Sequence, residues 1–249
     1  MHILSVTDRS EMENFMKKLI TALTACTLCM TAFSTTAFAE TTDSWEVIEC
    51  VDNQMTGFRS IPPELPNAEP NWEDSQVLSR AASINVNIQS PLESSWRSRY
   101  SDYYYQANRV VERIDDYLAK QFGIDFYSAS QPNWSAGNTG NSGSVLADAT
   151  NNVGKGNADL MIAFAGPVVD TGNSVTFGVA YLNQPYALVF DHNYTQNCKS
   201  AQHEVGHTYG LEHCTNSCVM KQGWDQNWSL FEHLCSSHSS QWSNAKNKY

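Results

Sequence analysis

The segment His203-Glu204-Val205-Gly206-His207-Thr208-Tyr209-Gly210-Leu211-Glu212-His213 carries residue types that bind a divalent metal, spaced so that they can share one ion. On a helix, residues four apart are rotated by only about 40° and displaced by about 6 Å along the axis, so His203 and His207 point the same way. Gly210 tolerates the left-handed backbone that ends a helix, which lets the chain turn and bring His213 round as a third nitrogen ligand. Three neutral protein ligands leave one tetrahedral corner open, the arrangement of a catalytic rather than a structural zinc. Glu204 is poorly placed as a ligand in such a set and well placed as a general base. Zinc lowers the pKa of a water it holds towards about 7, and a neighbouring carboxylate can take that proton as the water attacks a carbonyl. The chemistry expected is metal-assisted amide hydrolysis. Mere metal buffering would give no reason for Glu204.

The elements that position these residues follow from periodicity. Ile84-Asn85-Val86-Asn87-Ile88 alternates apolar and polar, as a strand with one buried face does. Over Tyr103 to Phe122 the period becomes helical, with Val110, Val111, Ile114, Tyr117, Leu118 and Phe122 on one stripe and Gly123 as the stop. Ile124 to Tyr127, Leu160 to Ala165, Val175 to Leu182 and Tyr186 to Phe190 are further strands. The Gly, Asn and Ser-rich stretch Ser128 to Asn157 reads as a long loop without a calcium-ligand spacing. Trp96, Tyr100, Tyr103, Tyr104 and Tyr105 are expected to pack rather than to bind. A strand, a long helix and then several strands imply an α/β (α+β) fold, a mixed sheet backed by helices.

The chain has 249 residues, 41% hydrophobic, enough for one catalytic-size domain. Its formal charge of -11 has the wrong sign for holding a phosphate backbone, so nucleic acid is not an expected partner. Mean hydropathy of -0.41 excludes a polytopic membrane protein. Lys17 and Lys18 precede the uncharged stretch Leu19 to Ala39, which ends in Ala37-Phe38-Ala39. That is the pattern of a cleaved export signal over residues 1–39, hydroxyl-rich and so a poor membrane anchor. Asp8, Glu11 and Glu13 are out of place in a basic leader and point to Met16 as the start of translation. The expected location is secreted or periplasmic. Residues 40–80 hold Pro62, Pro63, Pro66 and Pro70 without a sustained period and read as a linker or propeptide. Residues 81–249 form the expected catalytic domain. Loss of the leader leaves Cys50, Cys198, Cys214, Cys218 and Cys235, an odd number, so an oxidising compartment requires either a free thiol or cysteines committed to metal.

The histidine segment resembles the extended zinc signature of the metzincin metallopeptidases, with Met220 where their Met-turn residue falls. The continuation His213-Cys214, Cys218-Val219-Met220 and Cys235 with His238 looks most like the archaemetzincins, which have a second zinc on four cysteines. This sequence has His238 where the last cysteine would stand, and shorter spacings. The resemblance implies a zinc metallopeptidase fold, a peptide or protein substrate, Met220 as a floor under the zinc, and Val175 to Leu182 as an edge strand that pairs with extended substrate. Cys214, Cys218, Cys235 and His238 could then hold a structural zinc, leaving Cys50 and Cys198 as a disulfide. The competing expectation is oxidation of Cys214 with Cys218 or Cys235. The Cys50 thiolate could also cap the open zinc corner. The position of an oxyanion-stabilising Tyr in some branches is Gln222 here, and Tyr209 and His192 are unsupported alternatives expected to pack. The rival from another class is a secreted zinc-containing binding module or adhesin without turnover.

Overall fold

The computed structural model describes residues 45–52, 84–137, 140–169, 175–222 and 233–249. The leader expected over 1–39, and all of the segment 40–80 except residues 45–52, lie outside these residues. Among the described residues no helix is long and apolar enough to cross a membrane.

The strands are β1 (Val47–Asp52), β2 (Ile84–Gln89), β3 (Leu92–Glu93), β4 (Ile124–Ser130), β5 (Asn133–Trp134), β6 (Leu160–Ala165), β7 (Val168–Val169), β8 (Val175–Tyr181) and β9 (Tyr186–Phe190). The helices are α1 (Ser94–Arg99), α2 (Tyr103–Phe122), α3 (Ser142–Asn152), α4 (Tyr194–Thr208) and α5 (Ser236–Ala245). The main sheet runs β1-β8-β9-β6-β2-β4. β4, β2, β6 and β9 are parallel, whereas β8 is antiparallel to β9 and β1 antiparallel to β8. The fold is thus the expected mixed sheet backed by helices.

β6 shows why its sequence is an unbroken apolar run: it is buried on both faces. Leu160, Ile162 and Phe164 join the core beneath α2 and α4, while Met161, Ala163 and Ala165 face the smaller core under α3. The stripe of α2 packs as expected, with Val110, Val111, Ile114 and Leu118 fully or almost fully buried. Gly123 closes the helix at φ 68°, its N–H donating to the Ala119 carbonyl. Of the aromatic group, Trp96 is buried against Tyr100 and Phe164, whereas Tyr104 and Tyr105 are exposed.

Three expectations need correction. The stretch Ser128 to Asn157 is not one loop, because it contains β5 and α3. The side chain of Asn141 caps α3 on the Ser144 N–H, and Val145, Leu146 and Ala149 bury one face. Within residues 40–80, Val47–Asp52 form β1, paired with β8 from Val47↔Tyr181 to Asp52↔Val175. β8 is therefore not the sheet edge. Finally, Cys198 is a free thiol rather than half of a disulfide with Cys50. It lies in the α2–α4 interface near Tyr194, Arg109 and Arg113, where burial pushes it up to about 12. The backbone of Cys50 is opposite Gly178 in β8 instead, and its side chain lies outside the described residues.

Candidate metal centre

α4 carries the reactive segment and is buried along nearly all of Asn197 to Thr208. Asn193 starts it by accepting the Gln196 N–H. Its end is held by three separate parts of the chain. The helix stops at Tyr209, and Gly210 takes φ +88°, the left-handed turn its sequence position called for. The β8–β9 turn supplies Asn183, whose N–H donates to the His207 carbonyl at 2.8 Å. Near the last residues, Lys248 Nζ and Tyr249 Oη both donate to the Thr208 carbonyl, placing a cation where the helix dipole favours one.

The turn at Gly210 brings His213 back to the helix. The Nε2 atoms of His203, His207 and His213 stand 2.9 Å, 3.1 Å and 3.2 Å apart. His203 Nδ1 donates to the Val219 carbonyl and His207 Nδ1 to the Leu211 carbonyl, each at 2.6 Å. Their protons are therefore on Nδ1, and their Nε2 atoms present lone pairs to the same point. Burial, the largest cause, pushes His203 down to about 3, holds His207 well below its usual range, and lowers His213. Neutral imidazoles with converging lone pairs repel one another unless a cation lies between them. Zinc–nitrogen bonds of about 2.0–2.1 Å in a tetrahedron require nitrogens about 3.3 Å apart, and the cluster is within a few tenths of that. The donor set fits zinc.

Glu204 faces β8. A Cβ on Gly178 would lie 2.6 Å from both Cγ and Oε1 of Glu204 and 2.7 Å from Ser200 Oγ, so only glycine lets the strand approach this closely. Ser200 Oγ donates to the Phe177 carbonyl at 2.6 Å and fixes the contact. Both Glu204 carboxyl oxygens are buried with no hydrogen-bond partner among the described residues. Burial, with the Glu49 charge adding to it, holds this carboxyl well above the usual carboxylate range. A cation in the imidazole pocket is the charge that would draw its proton off.

Met220 lies on the other side of α4. A Cβ on Gly206 would be 2.5 Å from Met220 Sδ, which explains a glycine inside the histidine motif. Met220 is fully buried, and its neighbour Val219 supplies the carbonyl that orients His203. A second cluster fixes this segment. Cys214, Cys218, Cys235 and His238 bring one ligand atom each within 4.8 Å of one another, and the three cysteines, like Cys198, are free. His238 Nδ1 is 3.3 Å from Cys218 Sγ and 3.4 Å from Cys235 Sγ. The expected oxidation of Cys214 is therefore absent. Three thiols and one imidazole at this separation also fit a tetrahedral zinc, with no open corner.

The structure does not bring every candidate to the site. Tyr209 packs on Trp242 and Tyr249, and His192 lies on Phe177 with Nε2 at 3.2 Å from the Thr176 carbonyl. Neither side chain hydrogen-bonds to the three imidazoles. Gln222 has its N–H 3.4 Å from the Cys214 carbonyl. The residues not found from sequence are Gly178, Ser200, Gly206 and Glu49. The small residues at 178 and 206 were the available signal, but a glycine shows what approaches it only once its neighbours are placed.

Residues 157–237, which contain the histidine segment and most of the cysteine cluster, match peptidase family M54. No curated protein sequence matches the chain. Among solved structures, it is similar to a chain described as part of a chaperone-substrate complex, with a TM-score of 0.50 and 13% identity over 67% of this chain and 34% of that one. It thus spans about a third of that chain's length. It is also similar to archaemetzincin from Archaeoglobus fulgidus, crystallised with malonate, at TM-score 0.43 and 20% identity over 64% of this chain and 99% of that one. A third similarity is to metalloproteinase-II from Bacteroides fragilis, at TM-score 0.44 and 12% identity over 69% and 60% of the two chains. The residues that match this family are the same ones that gather three imidazoles around one point.

Proposed function

We propose that the chain is an exported zinc peptidase in which His203, His207 and His213 hold the catalytic ion and Glu204 is the general base. The observation that carries this reading is the convergence of three Nε2 lone pairs, together with a buried carboxyl without a partner on Glu204, the residue that follows His203 in α4. Zinc, when bound there, supplies an acidified water and a Lewis acid for the substrate carbonyl. His203 and His207 keep their Nδ1 protons on the Val219 and Leu211 carbonyls, so their Nε2 atoms stay available as ligands. Glu204 accepts a proton on its carboxylate oxygen as water attacks the scissile carbonyl. It then returns that proton to the amine nitrogen as the C–N bond breaks. Gly178 and Ser200 keep the carboxyl in place, and Met220 closes the space beneath α4.

Residues 1–39 act as the export signal in this account, residues 40–80 as a linker or propeptide, and residues 81–249 as the catalytic domain. Cys214, Cys218, Cys235 and His238 hold a second, structural zinc. Its role is to fix the segment that carries Val219 and Met220, where the Cys214 N–H donates to the Met220 carbonyl at 3.0 Å.

The test is hydrolysis of a mixed peptide library by the zinc-loaded protein and by Glu204→Ala. Cleavage that falls by at least about 100-fold in the variant, with zinc retained, supports the reading, since the base and not the ligand set is removed. Zinc binding without cleavage by the wild-type chain would instead identify a non-catalytic binding module.

A further inference from the structure

We propose that β1 is an autoinhibitory strand: Val47–Asp52 occupies the outer edge of β8 beside Glu204, and an extended peptide pairs with β8 only after β1 has left it. This inference rests on the reading of the site as a peptidase.

The argument starts from β8. Its inner edge pairs with β9, and its Gly178 backbone lies directly against Glu204. A peptide placed for attack beside Glu204 therefore has one backbone ladder to join, the outer edge of β8, and strand addition to an open edge is a general means of holding extended peptides. β1 already fills that ladder in an antiparallel sense, with Cys50 opposite Gly178. The register break between Cys50 and Val51 falls at the same point, where β8 passes Ser200 and Glu204. α4 packs against β1 as well as β8, so the occupying segment reaches the helix that carries the site.

How β1 is held also distinguishes it from the strands of the core. It is fastened by contacts at its N-terminal end and at Glu49, and along its backbone. Trp45 stacks on Tyr186 at 5.3 Å and meets Tyr181 edge-on at 5.1 Å. The Leu182 N–H donates to the Glu46 carbonyl at 2.9 Å, and Ser142 Oγ donates to Glu49. Val47 is 42% exposed, Ile48 and Glu49 are half-buried, and none of these three belongs to either apolar core. The described side chains Val47 to Glu49 can therefore leave without emptying a core, at the cost of one ladder, the two ring contacts of Trp45 and the Ser142–Glu49 bond. As part of the same chain it competes at an effective concentration of about a millimolar or above, enough to exclude a dilute substrate.

The experiment uses the full chain carrying Glu204→Gln, so that a probe is not consumed. A fluorescein-labelled octapeptide with the sequence of Trp45–Asp52 is titrated by anisotropy into this parent and into two derivatives. Ile48→Pro removes a backbone donor from β1, and Trp45→Ala removes its aromatic anchor. Binding at least tenfold tighter to the derivatives than to the parent is the expected result. Equal binding to the parent and both derivatives overturns the proposal. If Ile48→Pro loses its thermal unfolding transition, Trp45→Ala alone decides. Hydrolysis of the peptide library by the same derivatives with Glu204 restored separates the two readings. Tighter probe binding without hydrolysis supports the role of β1 and removes the peptidase, whereas hydrolysis with unchanged probe binding leaves the peptidase and removes the role of β1.

Discussion

Substituting Gly178 by Ala adds one methyl group to β8, directed at the Glu204 carboxyl proposed as the general base. That methyl would lie 2.6 Å from Glu204 Cγ and Oε1 and 2.7 Å from Ser200 Oγ. Ordinary contact begins near 3.5 Å, so the pair must separate by about 0.9 Å. Ser200 cannot retreat without giving up its bond to the Phe177 carbonyl, and Glu204 is fully buried, so strain falls on the carboxyl and on the strand. Overpacking of this kind costs about 1–3 kcal/mol, which for a domain of this size lowers Tm by about 2–12 °C. A displacement near 1 Å at a catalytic group costs on the order of 100-fold in rate. The three imidazoles are not touched. The assay is therefore hydrolysis of a peptide library with zinc per chain measured on the same sample. We expect kcat/KM to fall by about 100-fold with the zinc content unchanged. Cleavage within threefold of wild type, in protein whose Tm has dropped, would refute the reasoning, because it would show that Glu204 can move without consequence.

Two further predictions concern the second cluster and the acidic side of α2. Cys218→Ser should lower zinc from two ions per chain to one, measured by mass spectrometry of the metal, and should lower Tm by at least about 5 °C through loosening of the Val219–Met220 segment. Retention of two ions would contradict the proposed ligand set. Asp115 accepts the Phe126 N–H at 2.7 Å in the core, where burial, opposed by that bond and aided by Asp125, Glu112 and Asp116, raises its pKa to about 8. The folded chain then keeps a proton that the unfolded chain releases near pH 3.9, so this contribution to stability is complete below about pH 4 and lost as pH rises through about 8. Unfolding in denaturant should therefore show the stability of wild type relative to Asp115→Asn declining from pH 5 to pH 8. A difference that is flat or rises over that window would exclude the shift.

The parts of the fold legible in the sequence are those set by local chemistry. The 3.6-residue stripe of Val110, Ile114 and Leu118, ended by Gly123, placed α2 at Tyr103–Phe122. The continuous apolar run Leu160–Ala165 placed β6, because burial on both faces leaves no polar position to alternate with. The spacing of His203, His207, Gly210 and His213 was likewise readable, since the helix repeat and one left-handed residue fix where the rings can point. α3 was not legible because its composition, Ser-Gly-Ser-Val-Leu-Ala-Asp-Ala-Thr-Asn-Asn, has little helix propensity and only a narrow apolar face. It forms because Val145, Leu146 and Ala149 cover the second core. β1 was missed for a different reason: its pairing spans more than a hundred residues, and nothing within Val47–Asp52 names β8 as a partner. The same holds for Gly178 and Gly206, whose need for a missing side chain comes entirely from Glu204 and Met220 across the interface.

The most direct test of the central claim is a crystal structure of the zinc-loaded protein with anomalous diffraction collected across the zinc absorption edge. The expected result is an anomalous peak about 2.0–2.1 Å from the Nε2 atoms of His203, His207 and His213, beside the Glu204 carboxylate. Rings of these three histidines turned away from one another, with no peak between them, would contradict it.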